Sequence, residues 1–371
     1  MSTTSTTTQT LADTIATLGL ASGTPAEPVK SFAAEANYPY KRFLPHWSSS
    51  LKLPPLEPFE HVDPGHAALE DENPLSFLGN AIVKAITPTF GVEITGGDID
   101  LTKLTKHERS QLALYVARKG VVVLRNQQTF VDADPEWQIR EWGATFGRIH
   151  IHPVSGQPKD FPELHLVFRD AKNNSDDRVD YSNRLNSTTI HSDVTYELQP
   201  PGLTTLFLYD TPDSGGDTLF IDQREAYKRL SPSFRSYLET LTAVHSGFEQ
   251  AALSASHHGS DTIKRQPVKH EHPVIRRHPV TGEKALFVQP GFTRYIVGLK
   301  KEESDTILNL LYDHIAKGHD FQARARWGEK GSVTLWDNRI TAHSALIDWN
   351  DGIAGRRHGA RITAQAERPF I

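Results

Sequence analysis

The chain reads as a mainly β protein with flanking helices, its core a double-stranded β-helix of the jelly-roll, cupin-like kind. Two observations predict this. Clear helix signals are concentrated ahead of Phe146-Gly147, whereas the segment after it is dominated by short β-prone runs bounded by Gly, Pro, Asp or Asn. No internal repeat is visible, and 371 residues suffice for one large domain with extensions.

Taken in order, residues 1–28 are rich in Ser, Thr and Ala and are expected to form a flexible tail, because they bury too little surface to offset their ordering entropy. Residues 29–84 are dense in proline and aromatic residues, as in Tyr38-Pro39-Tyr40 and Phe43-Leu44-Pro45-His46-Trp47. Such a segment makes neither helices nor central strands, yet it is too apolar to be free, so it is expected to pack on the main body. The principal domain is placed at residues 85–371.

Within that domain Phe90-Gly91-Val92-Glu93-Ile94 alternates like a strand, and Thr105-x-x-Glu108 is a capping box opening a helix through Arg118, stopped by Gly120. Val121-Val122-Val123-Leu124 is a continuous apolar run, which suits a strand buried on both faces. Asp134-Pro135-Glu136 opens a second helix carrying Trp137 and Trp142. Further strands are expected over residues 203–209, 219–221, 284–288 and 332–336. One later helix is expected over 302–316, with Ile307, Leu310, Leu311 and Ile315 on its apolar stripe. Residues 155–189 and 251–269 look like long loops, either lids or solvated insertions, and the histidines at 257–258, 270 and 272 are expected to be solvated.

Composition excludes several classes of function. With no cysteine, disulfides, zinc-thiolate sites, iron–sulfur clusters and cysteine nucleophiles are all ruled out, so any metal is held by His, Asp or Glu. The net charge of -5 and pI of about 6.4, with both signs interspersed, offer neither a nucleic-acid surface nor a polybasic membrane anchor. No run approaches the ~18 apolar residues of a membrane span. The N-terminus lacks a secretory pattern, and residues 1–29 contain no Lys or Arg, against a transit peptide. The expected setting is cytoplasmic and the expected partner a small molecule.

The chemistry centres on residues 188–196, which read as a strand. His191 and Asp193 are two apart, so on a strand an imidazole and a carboxylate share one face. His343 is the candidate for a third ligand. Two imidazoles and one carboxylate leave coordination positions open, the arrangement of non-haem Fe(II) oxygenases.

The surrounding blocks carry a resemblance. They are His191-Ser192-Asp193-Val194-Thr195-Tyr196, then Pro200-Pro201-Gly202, Gly215-Gly216-Asp217-Thr218-Leu219-Phe220, and Leu335-Trp336-Asp337-Asn338-Arg339 ahead of His343, Asp348, Arg357 and Arg361. Phe146-Gly147-x-x-His150-x-His152-Pro153 and His272-Pro273-Val274-x-Arg276-x-His278-Pro279-x-Thr281-Gly282 add to them. From about residue 86 to 370 the chain resembles the TauD/TfdA (taurine dioxygenase) superfamily of Fe(II)/2-oxoglutarate-dependent dioxygenases, and the proline-rich front resembles its fungal members.

The resemblance implies His191, Asp193 and His343 as iron ligands, with 2-oxoglutarate and O2 as co-substrates. It implies Thr218 and Arg357 as the pair holding the distal carboxylate of 2-oxoglutarate, which suits the planar donor fork of arginine. The choice of Arg357 over Arg356 rests on its Arg-x-x-x-Arg spacing to Arg361; the alternative is an exposed basic cluster with Arg356 and His358. His152 and Arg361 are implied as two cationic donors to an anionic head group, His152 having a backbone-bonded core histidine as its alternative. Phe220 and Phe248 are expected near the substrate, while Asp337 and Asn338 brace the strand end or orient a ligand.

The implied reaction is hydroxylation of an alkanesulfonate such as taurine, giving aldehyde and sulfite with succinate and CO2. The sequence departs from the taurine pattern at Ser155, where the family has tyrosine, at Ile190, where it commonly has tryptophan, and in a longer segment between His343 and Arg357. Alkyl sulfates, aryloxyalkanoates and an oxidised purine therefore stay open as substrates, as does a cupin-like binding protein without turnover or a zinc hydrolase. A homo-oligomer is expected from the resemblance.

Overall fold

The computed structural model describes residues 9–20, 37–170, 186–346, 348 and 355–371. In chain order its strands are β1 (Ile82–Ala85), β2 (Val92–Thr95), β3 (Val121–Leu124), β4 (Arg148–Ile149), β5 (His165–Asp170) and β6 (Pro201–Asp210). They continue as β7 (Thr218–Asp222), β8 (Thr242–Ser246), β9 (Lys269–Pro273), β10 (Ile275–Arg277) and β11 (Lys284–Leu286). The last are β12 (Thr293–Ile296), β13 (Gln322–Ala325), β14 (Val333–Asp337), β15 (Thr341–Ala345) and β16 (Arg356–Gln365).

The main sheet has the order β1-β2-β3-β14-β6-β16-β4, with β5 also paired to β16. Its β2 and β3 are parallel, joined through the helix Lys106–Lys119. That helix starts as its sequence dictates: Thr105 accepts from the Glu108 amide and Glu108 accepts from the Thr105 amide. Gly120 ends it at φ 75, a conformation that disfavours any side chain.

Burial on both faces explains the continuous apolar reading of β3. Val122 and Leu124 meet the helical layer through Leu112, Val116, Phe130 and Trp142. Val121 and Val123 face the other way, toward Phe220, Ala323 and Trp336 in the core between the main sheet and a second sheet, β13-β7-β15. Each such valine contributes roughly 1.5–3 kcal/mol on burial. The two facing sheets make the jelly roll. A third sheet, β12-β8-β9, and the helix Lys301–Lys317 cover the outer side of the second sheet, through Ile221, Ala342, Leu308, Leu311 and Ile315.

Several expectations are corrected here. The proposed loop 155–189 contains β5, held by six paired positions on β16; its Asn/Asp-rich part falls in 171–185, outside the described residues. The proposed loop 251–269 begins as the helix Phe248–His258, whose Ala251 and Ala255 pack on Val154 and Ile263. Its small residues bury little area each, so the helix signal is tertiary rather than local. Onto this cluster dock Leu11 and Ile15 of the short helix Leu11–Thr17, within the segment read as a tail.

The histidines are also more structured than expected. His272 in β9 is buried with Nε2 on the Glu197 carbonyl oxygen, and His258 stacks on Trp47 at 4.1 Å. On the helix Lys301–Lys317 the buried stripe uses Leu308; Leu310 is 55% exposed. The helix opened by Asp134 continues through a π turn, Gln138–Trp142, which places Trp142 in the core with its Nε1 donating to Thr205.

Between residues 37 and 84, Tyr38, Phe43, Ala68 and Phe77 are buried. The backbone bond from Leu53 N to Lys264 O, 2.7 Å, and that from His46 N to Gln157 O, 2.9 Å, tie this segment to the rest of the chain. Among the described residues no helix is long and apolar enough to cross a membrane.

Candidate metal centre

His191 and His343 are brought together by backbone pairing. Each donates its amide to the other's carbonyl, at 3.0 and 2.7 Å, and this isolated bridge sets the rings side by side with centroids 4.3 Å apart. His343 sits on β15. His191 does not sit on a strand, contrary to the sequence expectation: the chain makes one bridge there and then turns, with Val194 at φ 38. Asp193 reaches the site from that turn, not through strand alternation. The turn is fixed by Ser192 Oγ donating to Thr341 O at 2.7 Å and by the Asp193 amide donating to Asn338 Oδ1 at 3.2 Å.

Asp193 Oδ1 lies 3.6 Å from Nε2 of His191 and 3.6 Å from Nε2 of His343, too far for hydrogen bonds. Ligand atoms of the three side chains lie within 4.8 Å of one another. Among the described residues Asp193 Oδ2 is buried without a hydrogen-bond partner. His191 Nδ1 is 2.7 Å from the Thr189 carbonyl oxygen and must donate to it, so Nε2 is the ring nitrogen that faces Asp193.

Burial, with His191 beside it, pushes His343 down to about 3, so its ring is neutral. Burial alone would raise Asp193, but Arg361 and His343 hold it well below the usual carboxylate range. Neutral imidazoles and an ionised carboxylate are the forms that bind a cation.

A cavity of about 210 Å3 opens on the trio, and His152, His165, Thr218, Arg357 and Arg361 are among its lining residues. Thr218 starts β7, after Gly215 and Gly216, whose φ values of 79 and 68 require glycine. Arg357 Nε donates to the Gly216 carbonyl oxygen at 2.8 Å, and Nη2 lies 3.4 Å from Thr218 Oγ1. Its partners are uncharged oxygens, and burial pushes it down to about 10. Neighbouring strand residues alternate faces. Arg356 accordingly points away, its guanidinium over the Tyr38 ring and 3.8 Å from Asp210.

His152 lines the cavity but is not a cation. Its Nδ1 accepts from the Val154 and Ser155 amides, 3.3 and 3.1 Å, and lies 2.9 Å from Ser155 Oγ. Burial and then Arg361 hold it well below the usual histidine range, so it offers a neutral Nε2–H donor. The backbone-bonded alternative and the cavity-facing role are thus combined in one ring. Arg361 is buried, with Nη1 donating to Asp193 Oδ1 at 2.7 Å and Nη2 to His165 Nδ1 at 2.6 Å.

The two phenylalanines expected near the substrate are not among the cavity-lining residues. Phe220 is fully buried between the sheets, its ring 5.8 Å behind that of His343, because an inward aromatic on β7 fills the core. Phe248 starts its helix, and it is Gln250 and Phe292 that reach the cavity. Asn338 braces the Asp193 turn, whereas Asp337 belongs to a buried ion network with Arg339, His278, Asp63, Glu367 and Arg276. Residues missed in the sequence include His165 and Gly291. A Cβ on Gly291 would stand 2.7 Å from His191 Cβ, a close approach that no local pattern announces.

Comparison with known proteins identifies the family. Residues 82–363 match the family model described as taurine catabolism dioxygenase TauD, TfdA family. An alpha-ketoglutarate-dependent sulfonate dioxygenase of Saccharomyces cerevisiae is 45% identical over 347 residues, covering 92% of this chain and 80% of that protein. The alpha-ketoglutarate-dependent dioxygenase cnsM of Penicillium expansum is 38% identical, over 92% of this chain and 93% of its own. The crystal structure of a taurine dioxygenase from Burkholderia xenovorans superposes with a TM-score of 0.63 at 31% identity, covering 78% of this chain and 91% of that one.

Proposed function

From the premise that this chain belongs to the TauD, TfdA family and is an alpha-ketoglutarate-dependent dioxygenase, we propose that it hydroxylates a small alkanesulfonate such as taurine, releasing aldehyde and sulfite with succinate and CO2. The observation that carries the reading is a buried carboxylate oxygen without a hydrogen-bond partner among the described residues, flanked by two imidazoles and opening on a cavity that also holds two guanidinium groups. A cation completes that cluster. His191, Asp193 and His343 would hold Fe(II), the donor set suited to a non-haem iron with open positions. When bound, the ion supplies activation of dioxygen coupled to oxidative decarboxylation of 2-oxoglutarate.

The other residues bind and orient. Arg357 and Thr218 receive the distal carboxylate of 2-oxoglutarate, with Gly216 O fixing the plane of the guanidinium. Arg361 and the Nε2–H of His152 receive the anionic head group, which sets the carbon to be attacked at a fixed distance from the trio. Val167, Leu206, Val194 and Trp336 add an apolar part to the lining that excludes water.

Charge supports a head group with a single negative charge. Among the described lining residues two guanidinium groups face one carboxylate, and a divalent ion raises the surplus to three positive charges. A dianionic keto acid and the single negative charge of a sulfonate head group cancel them, which matters in a site this buried. The test is a panel assay of the iron-loaded chain with alkanesulfonates, alkyl sulfates and aryloxyalkanoates, following succinate and sulfite. Sulfite released in step with succinate from an alkanesulfonate is expected; succinate stimulated only by the other classes would reject the sulfonate assignment.

A further inference from the structure

His165 lies in a segment that gives no catalytic signal in the sequence, yet β5 pairs with β16 in a register that places it directly opposite Arg361. Strand pairing therefore sets the two side chains side by side on one face of the sheet. Arg361 Nη2 donates to His165 Nδ1 at 2.6 Å, and the His165 and His152 ring centroids are 4.4 Å apart. A guanidinium only donates, so His165 Nδ1 must carry a lone pair and the ring is uncharged. Arg361 is thereby clamped on both terminal nitrogens, by Asp193 on one and His165 on the other.

The two clamps differ in charge. The Asp193 carboxylate also belongs to the cation cluster, so its charge is shared with whatever ion sits there. An imidazole orients the guanidinium without neutralising it, and a carboxylate at the same place would satisfy Arg361 before any ligand arrived. We propose that His165 is the specificity-determining residue of the head-group end of the cavity, a neutral acceptor that fixes Arg361 while leaving its positive charge to a singly charged oxyanion. This rests on the anion-binding reading given under the proposed function.

The test compares wild type with His165→Asn, His165→Asp and His165→Leu in the full iron-loaded chain. It measures kcat and KM for sulfite release from taurine and pentanesulfonate, and the thermal upshift these sulfonates give the metal-free chain. Asparagine and aspartate have nearly the same shape and both accept from Arg361, so a role limited to holding the fold treats them alike. The expected order is His165→Asn within about threefold of wild type in KM, His165→Leu raised about tenfold, and His165→Asp raised on the order of 100-fold, with smaller changes in kcat. The upshift should vanish first in the aspartate variant.

Equal KM values and upshifts for the asparagine and aspartate variants, with an active wild type, overturn the role of His165 alone. A wild-type chain that neither turns over nor is stabilised by either sulfonate overturns it together with the proposed function. Should the leucine variant fail to fold, the asparagine and aspartate pair still decides the matter.

Discussion

Replacing Arg357 by methionine should separate stability from co-substrate binding. Arg357 is 7% exposed, among the described residues its donors meet the uncharged oxygens of Gly216 and Thr218, and burial lowers it from the usual arginine range to about 10. That lowering corresponds to about 3 kcal/mol against the charged form. The sign follows from a base whose folded value is depressed: the cost is fully present below pH 10 and lifts only as pH rises from 10 toward the unfolded value. Methionine removes the cost but forfeits the bond to Gly216 O, roughly 0.5–1.5 kcal/mol. The metal-free Arg357→Met chain should therefore be as stable as wild type or more stable by about 1–2 kcal/mol.

Co-substrate binding should move the other way. Two charge-assisted bonds of roughly 1.5–3 kcal/mol each are lost to the keto acid, so its KM should rise by at least about 100-fold. Denaturant melts of the metal-free chain and succinate assays across 2-oxoglutarate concentrations measure the two effects. A variant that melts well below wild type and keeps its KM for 2-oxoglutarate would refute the reasoning.

Gly291→Ala should weaken metal binding by about 10- to 100-fold, because the new methyl group drives into His191 and disturbs a ligand through its support; a Co(II) titration followed by ligand-field absorption reads it, and unchanged affinity would mean the His191 backbone can retreat. Lys264 is buried, with Nζ on Ser155 O and Gln157 Oε1, and burial followed by Arg265 lowers it to about 7. Its cost to stability is complete below pH 7 and lifts between pH 7 and the unfolded value near 10.4. The difference in stability between wild type and Lys264→Met should accordingly shrink or change sign across that window, and a pH-independent difference would contradict it.

What the sequence reveals follows the range of the interactions involved. The Thr105 and Glu108 capping box is legible because both partners lie within one turn. The burial of β3 on both faces shows in four consecutive apolar residues. His191, Asp193 and His343 are legible as types and spacings, but the route by which Asp193 arrives is not. Its turn depends on Thr341 and Asn338, roughly 145 residues along, and on the strained Val194. His165 is invisible for the same reason, since its meaning comes from a strand 196 positions away.

Other errors come from reading composition as exposure. Ser254-Ala255-Ser256-His257-His258 looks like loop because its small residues carry little hydrophobicity, yet Ser254 and Ala255 are buried on a helix. Leu310 and Leu308 are two positions apart on one helix, and the stripe picks the latter because the β12-β8-β9 side of the molecule lies beneath it. Phe220 illustrates the converse: an aromatic beside a site motif is core when strand alternation points it between the sheets.

The most direct test of the central claim is the anaerobic absorption spectrum of the Fe(II) protein on addition of 2-oxoglutarate. If His191, Asp193 and His343 hold one ion with adjacent positions free, wild type develops the visible charge-transfer band of the chelated keto acid, and His343→Ala and Asp193→Ala each lose it. A His343→Ala protein that binds Fe(II) and shows the band at wild-type intensity would contradict the claim.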